Sequence, residues 1–321
     1  MARCHLLLMK SPLVLTPPRK TKFNLKQLAG ACIVFVAAVC FSAKAVIVKL
    51  AYQYHVDSVS LLALRMVFAL PFFVLIGTFT RRKNIPPAAI TRQDYLRLIF
   101  FGLMGYYLAS LFDFLGLQYV SAGLERLILF IYPTLVVVFS YIFLGKKITR
   151  NQYLALGLTY AGVLLVLFND VQVQAQQNLL KGGLLIFASA VTYALYLMGS
   201  GTLIPKFGSV RFNSYAMAVA TVGVFAHYLV QQGGQVFHFT APVYGYGLLM
   251  AVVATVIPSY LMAEGIRLVG AGNTAIIGSI GPISTILLAY IFLGETVSGV
   301  QLVGTAVVLG GILLITLEKQ K

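Results

Sequence analysis

Among the ionisable side chains inside long apolar stretches of this sequence, where a charge is costly unless it has a partner or faces water, five in the first half belong together. They are Lys44, Arg65, Asp113, Glu125 and Arg126. The three bases outnumber the two acids, so the surplus positive charge could receive a carboxylate or another anionic group, for which arginine offers two parallel N–H donors. The same residues could instead form a closed, structural network of ion pairs.

The apolar stretches that carry these residues have the length of membrane-spanning helices. Of the 321 residues, 60% are hydrophobic and only 10% are charged, whereas roughly 25% are charged in soluble proteins. A spanning helix needs about 20 mainly apolar residues. Segments of that length are 29–49, 58–79, 96–118, 122–144, 150–168, 182–204, 211–231, 244–266, 271–293 and 298–317. The sequence therefore predicts an all-α integral membrane protein with ten transmembrane helices.

The basic residues between these segments predict the orientation. A net charge of +16 would suggest a nucleic-acid partner for a soluble protein, but here lysine and arginine gather at one set of segment ends, for example at 81–83, Arg150 and Arg211. Connections rich in these residues stay in the cytoplasm. We therefore predict a basic cytoplasmic tail over residues 1–28, both termini in the cytoplasm and a place in the cytoplasmic membrane. The lipid bilayer is then a partner, and nucleic acid is not.

The five ionisable residues fall in one layer when depth is counted by helical rise from the nearer segment ends. The layer runs from the outward interface to roughly 10 Å deep, although Glu125 and Arg126 could also reach the outer surface. The second half of the chain has no matching set. Its Glu264 falls towards the cytoplasmic end, one turn before Arg267. The two residues could form an ion pair at the surface, or Glu264 could be part of a cytoplasmic gate.

A shift of 149 residues lays one half of the chain on the other. GLQYVSAG (Gly116–Gly123) falls on GIRLVGAG (Gly265–Gly272), Pro133 on Pro282, and YIFLG (Tyr141–Gly145) on an identical YIFLG (Tyr290–Gly294). Three matches in one register indicate an internal duplication. It predicts two five-helix repeats, 29–168 and 182–317. Because five is odd, the second repeat enters the membrane from the opposite side, as an inverted copy.

Two prolines occupy equivalent positions inside these repeats. Pro133 and Pro282 each remove a backbone donor within an apolar segment, and Gly278 and Gly281 soften the second copy further. Kinked or broken helices at corresponding positions are typical of transporter binding sites. The four residues could form a fixed kink or a moving hinge.

The duplicated pattern resembles the EamA branch of the drug/metabolite transporter superfamily. The resemblance rests on Arg65 within LLALRMVFALP, on LQYVSAG, and on YPTLVVVFSYIFLGKKIT and GPISTILLAYIFLGETVS, with an LGE turn in the second copy only. It covers nearly the whole chain after the tail. It implies a carrier that exports a small metabolite, an amino acid or a related compound, by alternating access through a cavity between the repeats. The fifth and tenth helices would pack outside and could support a homodimer. We interpret Glu295, in the LGE turn, as a structural cap.

The sequence predicts no catalytic, cofactor or metal site. The histidines are scattered, the cysteines form no CxxC pair, and the GxxxxGK[ST] loop that binds nucleotide phosphates is absent. His227, alone in an apolar run, is typical of a packed or hydrogen-bonded helix residue. A membrane-embedded enzyme would need a nucleophile and base on facing helices. It remains, with a non-transporting membrane scaffold, the alternative to a carrier.

Overall fold

The structure, a computed structural model, describes residues 25–79, 90–145, 147–173, 178–232, 238–278 and 280–318. These residues form helices and connections, with no strand among them. The helices are α1 (Leu25–Tyr52), α2 (Ser58–Phe79), α3 (Arg92–Gly102), α4 (Ala109–Gly116), α5 (Ala122–Leu129), α6 (Tyr132–Leu144), α7 (Arg150–Val173), α8 (Leu179–Phe207), α9 (Ser209–Gln231), α10 (Ala241–Ala251), α11 (Ile257–Gly278), α12 (Gly281–Leu293) and α13 (Gly299–Glu318). Two π-helical turns, Leu103–Leu108 and Val252–Val256, join α3 to α4 and α10 to α11. Most of the predicted tail and the basic cluster at 81–83 lie outside the described residues.

Many of these helices are suited to a bilayer. Within the described residues, seven helical stretches are long and apolar enough to cross a membrane, and two shorter apolar helices, Gly281–Leu293 and Gly299–Leu314, accompany them. The seven are Leu28–Tyr52, Ser58–Phe79, Arg92–Gly116, Ala122–Phe143, Arg150–Asn169, Leu179–Phe207 and Ala241–Met262. Large apolar side chains such as Phe79, Phe168 and Leu184 are exposed on their outer faces, as contact with lipid requires. The prediction of an all-α membrane protein is confirmed.

The second half departs from the predicted spans at one place. A break was expected between 266 and 271, but α11 runs through it from Ile257 to Gly278. In the first half the corresponding residues leave the helix, and the Ser121 hydroxyl accepts a hydrogen bond from the Leu124 N–H to begin α5. Gly270 stands where Ser121 would be. It has no side-chain oxygen to cap a new helix.

Backbone features recur at the 149-residue shift. Helices α6 and α12 each have 13 residues and each has its proline, Pro133 or Pro282, in the first turn. Each ends at a glycine in the left-handed region, with φ 63° at Gly145 and 66° at Gly294, a conformation that favours glycine because it has no Cβ. The two π-helical turns also begin at equivalent positions, 103 and 252.

The two halves of the chain are interleaved in space. Helix α1 packs along α11 and α12, and α2 contacts α10; we call α1, α2 and α10–α12 the α1 bundle. Helix α8 packs on α4, α5 and α6, and α9 contacts α3; we call α3–α6, α8 and α9 the α8 bundle. The bundles meet where α2 lies against α9 and α5 against α12. Each bundle therefore combines helices from both halves.

Helices α7 and α13, the predicted fifth and tenth spans, pack along each other. Their backbones approach closely where Gly162 faces Gly304, since a Cβ added at Gly162 would lie 2.8 Å from the Gly304 carbonyl oxygen. Gly311 similarly faces the Ala155 carbonyl oxygen, 2.9 Å from an added Cβ. Small residues allow this close contact between membrane helices.

Candidate functional site

Lys44 is the centre of a buried cluster of charges. Its ammonium Nζ lies 2.6 Å from Asp113 Oδ2 and 3.3 Å from Glu125 Oε1. The side chain of Asp113 is 2% exposed and that of Glu125 is fully buried, while Lys44 retains 15% exposure. The predicted pairing of a base with these acids is therefore present, and it is Lys44 that takes both.

The three residues come from three helices. Lys44 is on α1, in the α1 bundle; Asp113 is on α4, just after the first π-helical turn; and Glu125 is in the first turn of α5. A carboxylate near a helix N-terminus is favoured by the helix dipole. The ammonium thus joins the α1 bundle to two helices of the α8 bundle.

Each carboxylate keeps one oxygen unused. Asp113 Oδ1 and Glu125 Oε2 are buried and have no hydrogen-bond partner within the described part of the chain. The two carboxyl groups also interact with each other, electrostatically and through a side-chain hydrogen bond, and two like charges at such range repel unless a cation or a shared proton lies between them. Lys44 is that cation in this conformation.

Arg65 is buried on α2 but reaches neither acid with a direct contact. Its Nε donates to Thr255 Oγ1 at 2.9 Å, and its guanidinium lies 5.6 Å from the centre of the Phe114 ring. Asp113 attracts it only over a longer range. Its Nη1 is buried without a hydrogen-bond partner among the residues that the structure describes.

Thr255 lies in the second π-helical turn, 190 residues after Arg65. The corresponding residue of the first π-helical turn, 149 positions earlier, is Tyr106, whose hydroxyl donates to Asn213 Oδ1 on α9. Each π-helical turn therefore holds a polar side chain from the second helix of the opposite half. Neither Thr255 nor Asn213 was predicted as a site residue, because their polarity alone is unremarkable in a helix.

Arg126 points inward towards the other half. Its guanidinium lies 5.5 Å from the Phe130 ring centre, and its Nη2 would lie 3.0 Å from a Cβ added at Gly281. Its Nε is buried without a partner among the described residues. The absence of a side chain at Gly281, the first residue of α12, makes room for this guanidinium. Arg126 therefore does not reach out to the membrane surface, the alternative that the sequence left open.

A cluster of tyrosine rings lies between the two arginines. The Tyr132 and Tyr193 rings are 5.1 Å apart, Tyr193 and Tyr196 are 5.9 Å apart, and Tyr196 and Tyr106 are 5.1 Å apart. Tyr106 interacts electrostatically with Arg65, and Tyr132 and Tyr193 with Arg126. The rings supply aromatic faces and hydroxyl groups to the region between the guanidinium groups.

The predicted hinge residues lie beside helix breaks. Pro133 and Pro282 sit in the first turns of α6 and α12. Helix α6 follows a short interruption at 130–131, and α12 begins at Gly281, shortly after α11 ends at Gly278. Gly278 ends α11, and no described atom lies within 4 Å of a Cβ added there. Movement at these positions stays a prediction.

Glu264 lies half-buried on α11, in the second half of the chain. Its predicted partner, Arg267, belongs to the same helix, but that side chain lies outside the described part of the structure. The surface pair and the cytoplasmic gate both stay predictions.

Glu295 ties the two bundles together at the end of α12. Its Oε1 and Oε2 accept hydrogen bonds from the Ala122 N–H at 3.0 and 3.1 Å, and Oε1 lies 3.8 Å from Lys49 Nζ. The interpretation of Glu295 as a helix cap matches this geometry, although the capped helix is α5, in the other half. A cavity of about 290 Å³ opens beside it, lined by Ser121, Gly123 and Gln301 among others.

His227 hydrogen-bonds to a tyrosine, with Nδ1 3.0 Å from the Tyr107 hydroxyl. This is the packed, hydrogen-bonded histidine that the sequence suggested. Among the described residues, no three His, Cys, Asp or Glu side chains come together as metal ligands.

The two halves of the chain each match the same family of known proteins. The profile of the EamA-like transporter family matches residues 28–168 and again 180–317. The "uncharacterized transporter YcbK" of Bacillus subtilis is 32% identical over 280 residues, covering 86% of this chain and 89% of its own. The "uncharacterized transporter sll1319" of Synechocystis is 25% identical over 317 residues, covering 91% and 94%.

The fold is also similar to a solved one. A protein of known crystal structure superimposes with a TM-score of 0.60 over 91% of this chain and 98% of its own, at 18% sequence identity. At that identity the likeness concerns the fold alone.

Proposed function

Because this chain belongs to the EamA-like transporter family, we propose that it is a secondary transporter for a small organic metabolite with a carboxylate group, such as an amino acid or a related compound. The observation that carries the proposal is the distribution of charge around Lys44. Lys44 contacts both buried acids, so Arg65 and Arg126 are left without a carboxylate in direct contact among the described residues.

Two guanidinium groups that each have a buried nitrogen unpaired among the described residues are costly. The nitrogens are Nη1 of Arg65 and Nε of Arg126, and an unsatisfied buried donor costs roughly 1–3 kcal/mol, more when it is charged. A substrate carboxylate would satisfy such a donor with a charge-assisted hydrogen bond. The tyrosine rings between the arginines would contact the rest of the substrate.

The proposed mechanism is alternating access between two inverted five-helix repeats. It is supported by the family profile, which matches the chain twice, and by the π-helical turns and glycine caps that recur 149 residues apart. Because α1 packs with α10–α12 and α2 contacts α10, the bodies that rock would be the α1 bundle and the α8 bundle. The same proposal includes export of the substrate and a homodimer through α7 and α13, both of which rest on the family resemblance. It also includes cytoplasmic termini, which rest on the basic residues in the connections.

The test is transport by the purified protein in proteoliposomes, with a panel of amino acids and organic acids. Arg65→Ala should lower the initial rate for any transported compound at least tenfold, since truncating a buried charged contact costs about 2–5 kcal/mol. Arg97→Ala is the matched control, because Arg97 is exposed on α3, and it should transport normally. Unchanged transport by a folded Arg65→Ala protein would make Arg65 structural, and a wild type that moves no compound of the panel would contradict the proposal.

A further inference from the structure

The Lys44 ammonium contacts only two of the four carboxyl oxygens of Asp113 and Glu125. It contacts one oxygen of each acid, Asp113 Oδ2 and Glu125 Oε1. The second oxygen of each, Asp113 Oδ1 and Glu125 Oε2, is buried and makes no contact with the ammonium. An ammonium group has three donors in rotatable positions, so these four oxygens could hold such a group in more than one position.

The cluster also lies at a mechanically important place. Lys44 belongs to α1, which packs on α11 and α12, whereas Asp113 and Glu125 belong to α4 and α5, which pack on α8, although α5 also contacts α1 and α12. The ion pair is therefore a contact between the α1 bundle and the α8 bundle. A ligand that takes the place of the Lys44 ammonium would keep the acids satisfied and release α1 from them.

We propose that Asp113 and Glu125 form a binding site for the amino group of the substrate, which Lys44 fills when no substrate is bound. This deepens the proposed function and rests on it, because a substrate must reach this layer. The substrate class becomes amines that also carry a carboxylate, with the amine at Asp113 and Glu125 and the carboxylate at a guanidinium group. Substrate binding then exchanges one ammonium for another, and no buried carboxylate loses its cation.

The exchange gives substrate binding a route to conformational change. A ligand can shift a conformational equilibrium only as far as it binds one state better than the other. With Lys44 in place, the acids hold the bundles together and the amine has no site; with Lys44 withdrawn, the amine has a site and the bundles are free to separate. A compound with a carboxylate but no amine could bind to the arginines and would leave the Lys44 contact intact.

Chemical rescue tests the site without any transported substrate. Lys44→Ala removes the part of the side chain that n-propylammonium reproduces, so n-propylammonium chloride should raise the unfolding temperature of this variant by about 2–4 °C. Tetramethylammonium chloride, which has the same charge but no N–H donors, should not. Lys49→Ala is the matched control on the same helix, since Lys49 pairs with Glu295 instead, and n-propylammonium should have no specific effect on it.

Rescue must also depend on the acids. In the double variant Lys44→Ala with Asp113→Asn, the effect of n-propylammonium should fall to that of tetramethylammonium. The proposal is overturned if both cations stabilise Lys44→Ala equally. It is also overturned if n-propylammonium stabilises the wild type and Lys49→Ala as much as it stabilises Lys44→Ala. If Lys44→Ala is recovered only when purified in n-propylammonium, that recovery is itself the rescue. If it is recovered in neither condition, the wild-type comparison below decides.

The wild-type protein supplies the second measurement. Pairs of α-amino acids and the 2-hydroxy acids that differ from them only in this group are compared as transported substrates and as inhibitors of transport. The amine should be preferred at least tenfold, because a site built to bind a donor rejects an analogue that leaves its partners unpaired. Equal or better use of the hydroxy acid overturns the amino-group site but leaves the carrier intact, whereas transport of neither compound counts against the proposed function itself.

Discussion

Two stretches of the chain, 122–144 and 271–293, are copies of each other in the repeat. They share a hydrophobic pattern and end in equivalent helices, α6 and α12, but only the first carries charged residues near its start. Glu125 and Arg126 stand where the second copy has Thr274 and Ala275, and Asp113 stands where it has Met262. Both copies end in YIFLG with a left-handed glycine. The shared features set the backbone path, and the features found in one copy set the chemistry. A pseudo-symmetric backbone therefore holds an asymmetric set of charges.

The largest expected effect comes from removing a charge that only the first copy has. Asp113→Asn should lower the free energy of unfolding by about 3 kcal/mol, because it breaks a buried ion pair that Lys44 makes. The equivalent change in the second copy, Met262→Leu, conserves volume and should cost less than about 1.5 kcal/mol. Chemical or thermal unfolding in detergent measures both. Similar losses at the two positions would mean that packing, and not charge, distinguishes the copies.

A smaller effect is expected where the second copy carries the charge. Glu295 stands opposite Lys146 in the repeat, so Glu295→Lys gives the second copy the residue of the first. It should cost about 2 kcal/mol, because it removes the cap of α5 and places a cation near a helix N-terminus and beside Lys49. Glu295→Gln keeps an acceptor oxygen and should cost about half as much. Unfolding curves that rank Glu295→Gln as the more damaging change would contradict the capping role.

The smallest effect should be the same in both copies. Gly145→Ala and Gly294→Ala each force a Cβ into the left-handed region and should each cost about 1–2 kcal/mol, with no clash, since no described atom lies within 4 Å of either added Cβ. Gly157→Ala, in the interior of α7 and equally open, should be neutral or stabilising by up to about 1 kcal/mol. A difference of more than about 1 kcal/mol between the two left-handed sites would show that the copies are not equivalent here.

Much of the fold could be predicted because hydrophobic length and repeat register are local properties of the sequence. Helix α2 has the predicted bounds, 58–79. Lys44, Asp113 and Glu125 were predicted to lie at one depth, and in the structure Lys44 contacts both acids. The continuous helix through 266–271 could not be predicted, because the duplication implies a break there. One difference between the copies is the capping hydroxyl of Ser121, which Gly270 lacks.

The rest of the site depends on how helices from distant parts of the chain meet. Depth counted by helical rise placed Arg65 near the acids, but it could not show that its hydrogen-bond partner would be Thr255. A π-helical turn adds a residue to one turn and rotates the side chains that follow it, so a regular helix gives the wrong face for Thr255. The inward direction of Arg126 depends on the space above Gly281, which belongs to the other half.

The position of α1 has a consequence for how the protein is made. Helix α1 leaves the ribosome before the other described helices, whereas its main packing partners, α11 and α12, are synthesised about 200 residues later. At roughly 5–20 residues per second, α1 would wait on the order of 10–50 s in the membrane before those partners exist. During that time Asp113 and Glu125, which are made much earlier, are the available partners for the Lys44 ammonium. The cluster is thus in a position to hold α1 near its final place while the second half is being inserted.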